Sequence, residues 1–123
     1  MYKYLNLNPI NSLSSQDCVI RAICVTTDMP WIEVYNELVK KGTELYDVPN
    51  SNAVWGIWLQ EHGFGLEPVE VPEFPTIATF VKEHPKGTYI LSTDTHVVGV
   101  VDGIYYDTFD CGNKTAYYVF WKK

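Results

Sequence analysis

The apolar residues of this chain change period part-way along, and that change constrains the fold more than any other feature. From 17 to 84 they recur at helical spacing between short polar connections. From 88 to 121 they stand in short β-branched and aromatic runs. Helices first and strands afterwards point to the α+β class, with N-terminal helices packed on a C-terminal antiparallel sheet. A chain of 123 residues is about one domain's worth, so 1–123 is read as a single domain around one core.

Val19, Ile20, Ala22, Ile23, Cys24 and Val25 leave only Arg21 polar across two turns, so a first helix over about 18 to 27 is read as buried nearly all round. Asp17 or a nearby serine supplies its cap. Asp28 and Pro30 restart the chain as a second helix, which "WIEVYNELVKK" carries to Gly42 as the stop. A third spans about 51 to 62, with Ser51 as cap, Val54, Trp55, Trp58 and Leu59 as its stripe and Gly63 as its end signal. The fourth, "TIATFVKEH", lies between Pro75 and Pro85. Strands follow in "GTYILST", "HVVGVV", "IYYDTF" and "TAYYVFW", and Asp102-Gly103 joins the second to the third as a two-residue hairpin turn.

That turn works as a ruler. It pairs Val101 with Ile104, Val100 with Tyr105 and Gly99 with Tyr106, and puts His96, Val98, Val100, Tyr105, Asp107 and Phe109 on one face. His96 and Asp107 become diagonal neighbours, about 7 Å apart at the backbone. A carboxylate that holds an imidazole in one tautomer is the orienting half of a nucleophilic triad. Cys18, at the start of the buried helix, supplies the nucleophile. There the positive end of the helix dipole and a nearby imidazolium both favour thiolate.

The remaining candidates have structural readings. Cys24 lies about 120° around the helix from Cys18 and fits a core position. Cys111, in the turn-like "DCGNK", is read as structural or incidental, and His62 and His84 sit where they can meet the last carbonyls of their helices. Arg21 is suited to neutralise Asp17 or an acid from the sheet and is given no catalytic role. No C-x-x-C, H-x-x-x-H or H-E-x-x-H spacing occurs, so no metal and no other cofactor is expected, and no glycine-rich phosphate loop is present.

Nine Lys and Arg against fifteen Asp and Glu give a net charge of -6, and no basic run exceeds a pair, Lys40-Lys41 and the terminal Lys122-Lys123. Phosphate binding needs clustered positive charge, so no nucleic-acid partner is expected. The N-terminus lacks an uninterrupted apolar core and no stretch is long enough to cross a bilayer, so no membrane partner is expected and the location is read as cytoplasmic. Three cysteines, an odd number without a signal peptide, point to reduced thiols.

"DCVIRA" at 17 to 22, followed by helices and then by "HVVGVVDG" and "YDTFD" between 96 and 110, resembles the papain-like cysteine peptidase superfamily. The likeness is to its small bacterial and phage members related to the bacteriocin-processing (C39-like) peptidases. The resemblance implies a papain-like fold with Cys18 as nucleophile, His96 as general base and Asp107 as the residue that orients the histidine. It also implies an oxyanion donor ahead of the cysteine, for which Asn11, then Gln16, are the candidates, with the backbone N–H of Cys18 as a second donor. Where the family often has a glycine after the nucleophile, this chain has Val19. The activity implied is that of a cysteine peptidase or amidase acting by acyl transfer on a peptide or protein substrate. Two alternatives stand beside it: a non-catalytic binding or inhibitory protein of phage or bacterial origin on the same scaffold, and a thiol acyltransferase or transamidase.

Overall fold

The computed structural model of the protein describes residues 1–68 and 74–123. Its elements run β1 (Tyr2–Tyr4), α1 (Cys18–Thr27), α2 (Trp31–Leu45), α3 (Asn52–Glu61), β2 (Phe64–Pro68), α4 (Ile77–Glu83), β3 (Thr88–Ser92), β4 (Val97–Val101), β5 (Ile104–Asp107) and β6 (Tyr118–Lys122). The class is α+β. The six strands form one sheet in the order β1-β5-β4-β3-β6-β2.

The sheet carries a helical layer on each face, because its strands are apolar on both sides. Ile90, Val97 and Phe120 pack with α1, α2 and α3 through Ile23, Leu38, Trp55 and Trp58. Their chain neighbours Leu91 and Val98, with Val100 and Tyr105, pack with Ile77, Phe80 and Val81 of α4. Successive strand residues point to opposite faces, so a strand covered twice reads as a continuous apolar run. Burying a side chain as completely as Ile23 contributes about 1.5–3 kcal/mol over an exposed position.

The hairpin has the expected register, with Val101 opposite Ile104, Val100 opposite Tyr105 and Gly99 opposite Tyr106. Asp102 and Gly103 both take positive φ, 48° and 78°, the requirement of a type I′ turn. The four expected helices form at nearly their expected bounds. His62 and His84 each place Nδ1 against the carbonyl of the residue four before, at 2.7 and 2.8 Å.

Four expectations are corrected. The sheet is mixed, not antiparallel: β1 pairs parallel with β5, Tyr2 to Tyr105 through Tyr4 to Asp107. This pairing is tied by the Met1 ammonium to the Gly103 carbonyl at 3.0 Å and by Leu5 N–H to the Asp107 carbonyl at 3.1 Å. The segment 17 to 84 is not all helical, since β2 pairs antiparallel with β6. Gly65 and Pro68 hide that strand from a propensity reading. The Trp121 ring lies against Gly65, where a Cβ would come within 2.4 Å of it. Residues 69–73 of the same segment lie outside the described residues.

Gly42 does not stop α2, which runs on to Leu45 with Tyr46 in the left-handed conformation after it. Gly42 is needed for room instead: a Cβ there would stand 2.6 Å from the Asp47 carbonyl oxygen. Finally, neither Asp17 nor Ser51 caps its helix through its side chain. The Ser51 hydroxyl donates to Asp47, and Asp17 has other partners.

Gly99 sets how closely α1 seats on β4. A Cβ there would lie 2.9 Å from the Ala22 carbonyl oxygen and 3.1 Å from Val25. Gly99→Ala is therefore expected to push α1 off the sheet and cost about 1–3 kcal/mol, measured as a lowered denaturant midpoint. An unchanged midpoint would mean that the contact yields without strain.

Candidate active site

Cys18 is the first residue of α1, and the turn before it is organised by the buried carboxylate of Asp17. Its Oδ2 accepts from Asn8 Nδ2 at 2.9 Å and Trp31 Nε1 at 3.0 Å, and its Oδ1 accepts from Arg21 Nε at 2.9 Å. Asn8 in turn uses its Oδ1 to accept from the backbone of Ile10 and Ser12. An aspartate at the position before a helix ordinarily turns its carboxylate onto the first-turn amides. Here it turns away, so the positive end of α1 beside Cys18 has no side-chain cap.

Arg21 continues from Asp17 to the sheet. Its Nη1 donates to Asp107 Oδ1 at 2.9 Å, so it neutralises both acids for which sequence made it a candidate. Asp107, the last residue of β5 and almost fully buried, also accepts from Thr108 N–H on Oδ1 at 2.8 Å. Its Oδ2 faces His96 Nε2 at 2.5 Å and the Cys111 thiol at 3.4 Å. Cys111 belongs to the α4-side core, whereas Arg21 comes from α1 on the opposite face. Asp107 thus sits at the end of the sheet where the two layers meet.

His96 is placed by the turn that leads into β4. Its N–H donates to Thr93 Oγ1 at 2.8 Å, its carbonyl accepts from Thr93 N–H at 2.8 Å, and the Phe109 ring lies 4.9 Å from the imidazole. With Nε2 taken by Asp107, Nδ1 is the remaining ring nitrogen, and Cys18 and His96 line the same cleft. Cys18, His96 and Asp107 therefore converge.

The electrostatics separate the three thiols. Burial works to push Cys18 up, but the hydrogen bond and charge of His96, the Val97 amide and the charge of Arg21 outweigh it and bring it below the ordinary thiol value. Burial, with the charge of Asp17 adding to it, carries Cys24 up to about 11. Cys111 is also pushed up by burial. Burial would lower His96, yet its bonds to Asp107, Cys111 and Cys18 raise it to about 11. Asp107 and Asp17 both stay below the usual carboxylate range despite burial, chiefly through His96 for the first and through Asn8, Trp31 and Arg21 for the second.

A cleft of about 520 Å³ opens onto the thiol, lined among others by Gln16, Asn50, Thr95, His96 and Phe109. Of the two side chains considered as oxyanion donors, Gln16 lines this cleft and Asn11 does not. Asn11 is an exposed loop residue at φ 54°, its N–H bonded to the Asn8 carbonyl. Local chain geometry decided this: the turn that buries Asn8 carries Asn11 outward. Val19 packs into the core and forms part of the cleft wall. A larger groove of about 950 Å³ runs along α4, β3 and β6 and holds none of the sequence-derived site residues.

The ligand atoms of His96, Asp107 and Cys111 lie within 4.8 Å of one another, all metal-binding types. The 2.5 Å between Nε2 and Oδ2 is shorter than the roughly 3.3 Å between ligands on a tetrahedral ion with 2.0–2.1 Å bonds. The cluster therefore has the geometry of hydrogen bonding. Among the described residues no helix is long and apolar enough to cross a membrane. No family model matches the chain, nor does any curated protein or solved structure.

Sequence reasoning missed Asn8, Trp31 and the place of Cys111. Only the Asn8-Pro9 turn signal hinted at the first. Replacing Asp17 by Ala leaves Asn8, Trp31 and part of Arg21 without their buried acceptor, and is expected to cost about 3–5 kcal/mol in urea unfolding at neutral pH. Both acids are depressed in the fold, so the stability they contribute is present above the unfolded carboxylate value of about 3.9 and is lost as pH falls below it. The wild-type curve should fall below about pH 4, and that of Asp17→Ala should fall less steeply. Equal slopes would remove Asp17 from the account.

Proposed function

We propose that the protein is a thiol hydrolase of the papain-like cysteine peptidase type, which cleaves a peptide or amide bond through a covalent acyl intermediate. The observation that carries this reading is that Cys18 alone of the three thiols is drawn toward thiolate, by an imidazole that a buried carboxylate holds in place. Strongly perturbed groups lining one cleft mark a reactive site.

The steps follow from the atoms. The Cys18 sulfur attacks the substrate carbonyl carbon and forms the C–S bond, and the carbonyl oxygen gains the negative charge. The backbone N–H of Cys18, in the uncapped first turn of α1, and the Gln16 side chain are the groups that can receive that charge. His96 gives its Nδ1 proton to the leaving nitrogen as the C–N bond breaks. Water then attacks the thioester, His96 takes a proton from it, and the acid leaves as the thiolate is regenerated. Asp107 keeps the ring in one orientation throughout and stabilises the imidazolium.

The resemblance to small C39-like peptidases supports the same assignment, and with it a peptide or protein substrate. The cleft walls carry Ser15, Asn50, Asn52, Ser92, Thr93 and Thr95, hydroxyl and amide groups suited to the backbone of an extended peptide.

Iodoacetamide is expected to alkylate Cys18 at least tenfold faster than Cys24 or Cys111 at pH 7, read by peptide mass spectrometry. Cys18→Ala should abolish hydrolysis of a peptide-library substrate with the circular dichroism spectrum unchanged. Three thiols reacting alike and slowly would refute the assignment. Retention of a partner-binding activity by Cys18→Ala, with no turnover in either protein, would favour a non-catalytic binding protein. Supplying an amine acceptor separates hydrolysis from transfer by the conjugate that transfer leaves.

A further inference from the structure

The guanidinium of Arg21 lies between two buried carboxylates, 2.9 Å from each. Taking a cation and two anions out of water is costly, and a chain that needed only to fill space here could use an apolar side chain. What the arrangement does is divide the Asp107 carboxylate: Oδ1 takes Arg21 and the Thr108 amide, Oδ2 takes His96 and Cys111. A carboxylate pinned through one oxygen cannot swing, so the direction of the other is fixed and the imidazole follows it. Arg21 is also three residues after Cys18 on the same helix. The element that carries the thiol therefore grips the acid behind the histidine.

We propose that Arg21 is a positioning residue for the reaction at Cys18, gripping Asp107 from the thiol's own helix so that His96 is held in register with the sulfur and a fixed positive charge stands beside both. The inference rests on the thiol reading above and adds a member that sequence gave no catalytic role.

The charged and titratable groups around this point come from every neighbouring element. Asp17 precedes α1, Cys18 and Cys24 lie on it, His96 precedes β4, Asp107 ends β5 and Cys111 follows it. Tyr2 from β1 donates its hydroxyl to the Asp107 carbonyl at 3.1 Å. The charge of Arg21 is among the influences that draw Cys18 down. His96 is raised to about 11, against its burial, by its bonds to Asp107, Cys111 and Cys18. Removing the guanidinium therefore acts on the thiol and on the fixing of Asp107, and the thiol midpoint rises.

The test is the pH dependence of Cys18 alkylation by iodoacetamide in the intact protein, with melting temperature recorded alongside. Arg21→Gln should raise the midpoint by about one pH unit, so that the rate at a pH below both midpoints falls about tenfold. Arg21→Lys keeps the charge and should return the midpoint most of the way to wild type. A merely structural arginine would lower the melting temperature in both variants and leave both midpoints where they were, and that result overturns the proposal. Should Arg21→Gln fail to fold, Asp17→Asn with and without Arg21→Met asks the same question where no second acid is left unpaired. The double variant should titrate higher than the single one, and equal midpoints overturn the proposal. A wild-type midpoint near the free-thiol value of about 8.5 sinks the thiol reading itself. An activated wild type with unmoved variants sinks only the role of Arg21.

Discussion

The buried negative charge of Asp107 is the constraint on which the rest of the site depends. Its two oxygens take four donors from three directions: the guanidinium from α1, the imidazole from the turn before β4, and an amide and a thiol from the turn after β5. Such an anion is tolerable away from water only while it is paired and hydrogen-bonded. The groups that satisfy it are therefore locked as firmly as it is. Helix, hairpin and following turn meet at one carboxylate, and the cleft forms where they meet.

The position of the thiol follows from two choices about α1. Gly99 lets the helix lie close on β4, which brings its first turn to the end of the sheet where His96 and Asp107 stand. Asp17 directs its carboxylate inward to Asn8, Trp31 and Arg21 rather than onto the helix amides. The first choice gives proximity. The second leaves the positive end of the helix without a side-chain cap, where it favours negative charge on the adjacent sulfur. A capped helix of the same composition would have spent that potential on its own side chain.

Much of this was legible in the sequence, and the pattern of what was not has a physical basis. Local rules were enough for α1, for the Asp102-Gly103 hairpin and for the relation of His96 to Asp107, because helix periodicity and hairpin register act over a few residues. Strands β1 and β2 escaped because each exists through a distant partner: the first pairs parallel with a strand about a hundred residues later, the second is a glycine-bearing segment covered by Trp121. Spacing alone put Asn11 ahead of Gln16 as a donor, yet it is Gln16 that lines the cleft. Only the turn built around Asn8 separates them. Cys111 looked incidental because nothing in "DCGNK" shows that the turn folds its sulfur back beneath Asp107.

The central claim is that His96 is held as an imidazolium by Asp107 and shares its other side with the Cys18 thiolate. The most direct measurement is a pH titration of the His96 ring nitrogens by ¹⁵N NMR on labelled protein. The account predicts that both nitrogens stay protonated from pH 5 to beyond pH 9, in keeping with a ring raised to about 11. A single transition near the unperturbed histidine value of about 6.5 would contradict it, since the imidazole would then be neutral where the thiol needs its charge.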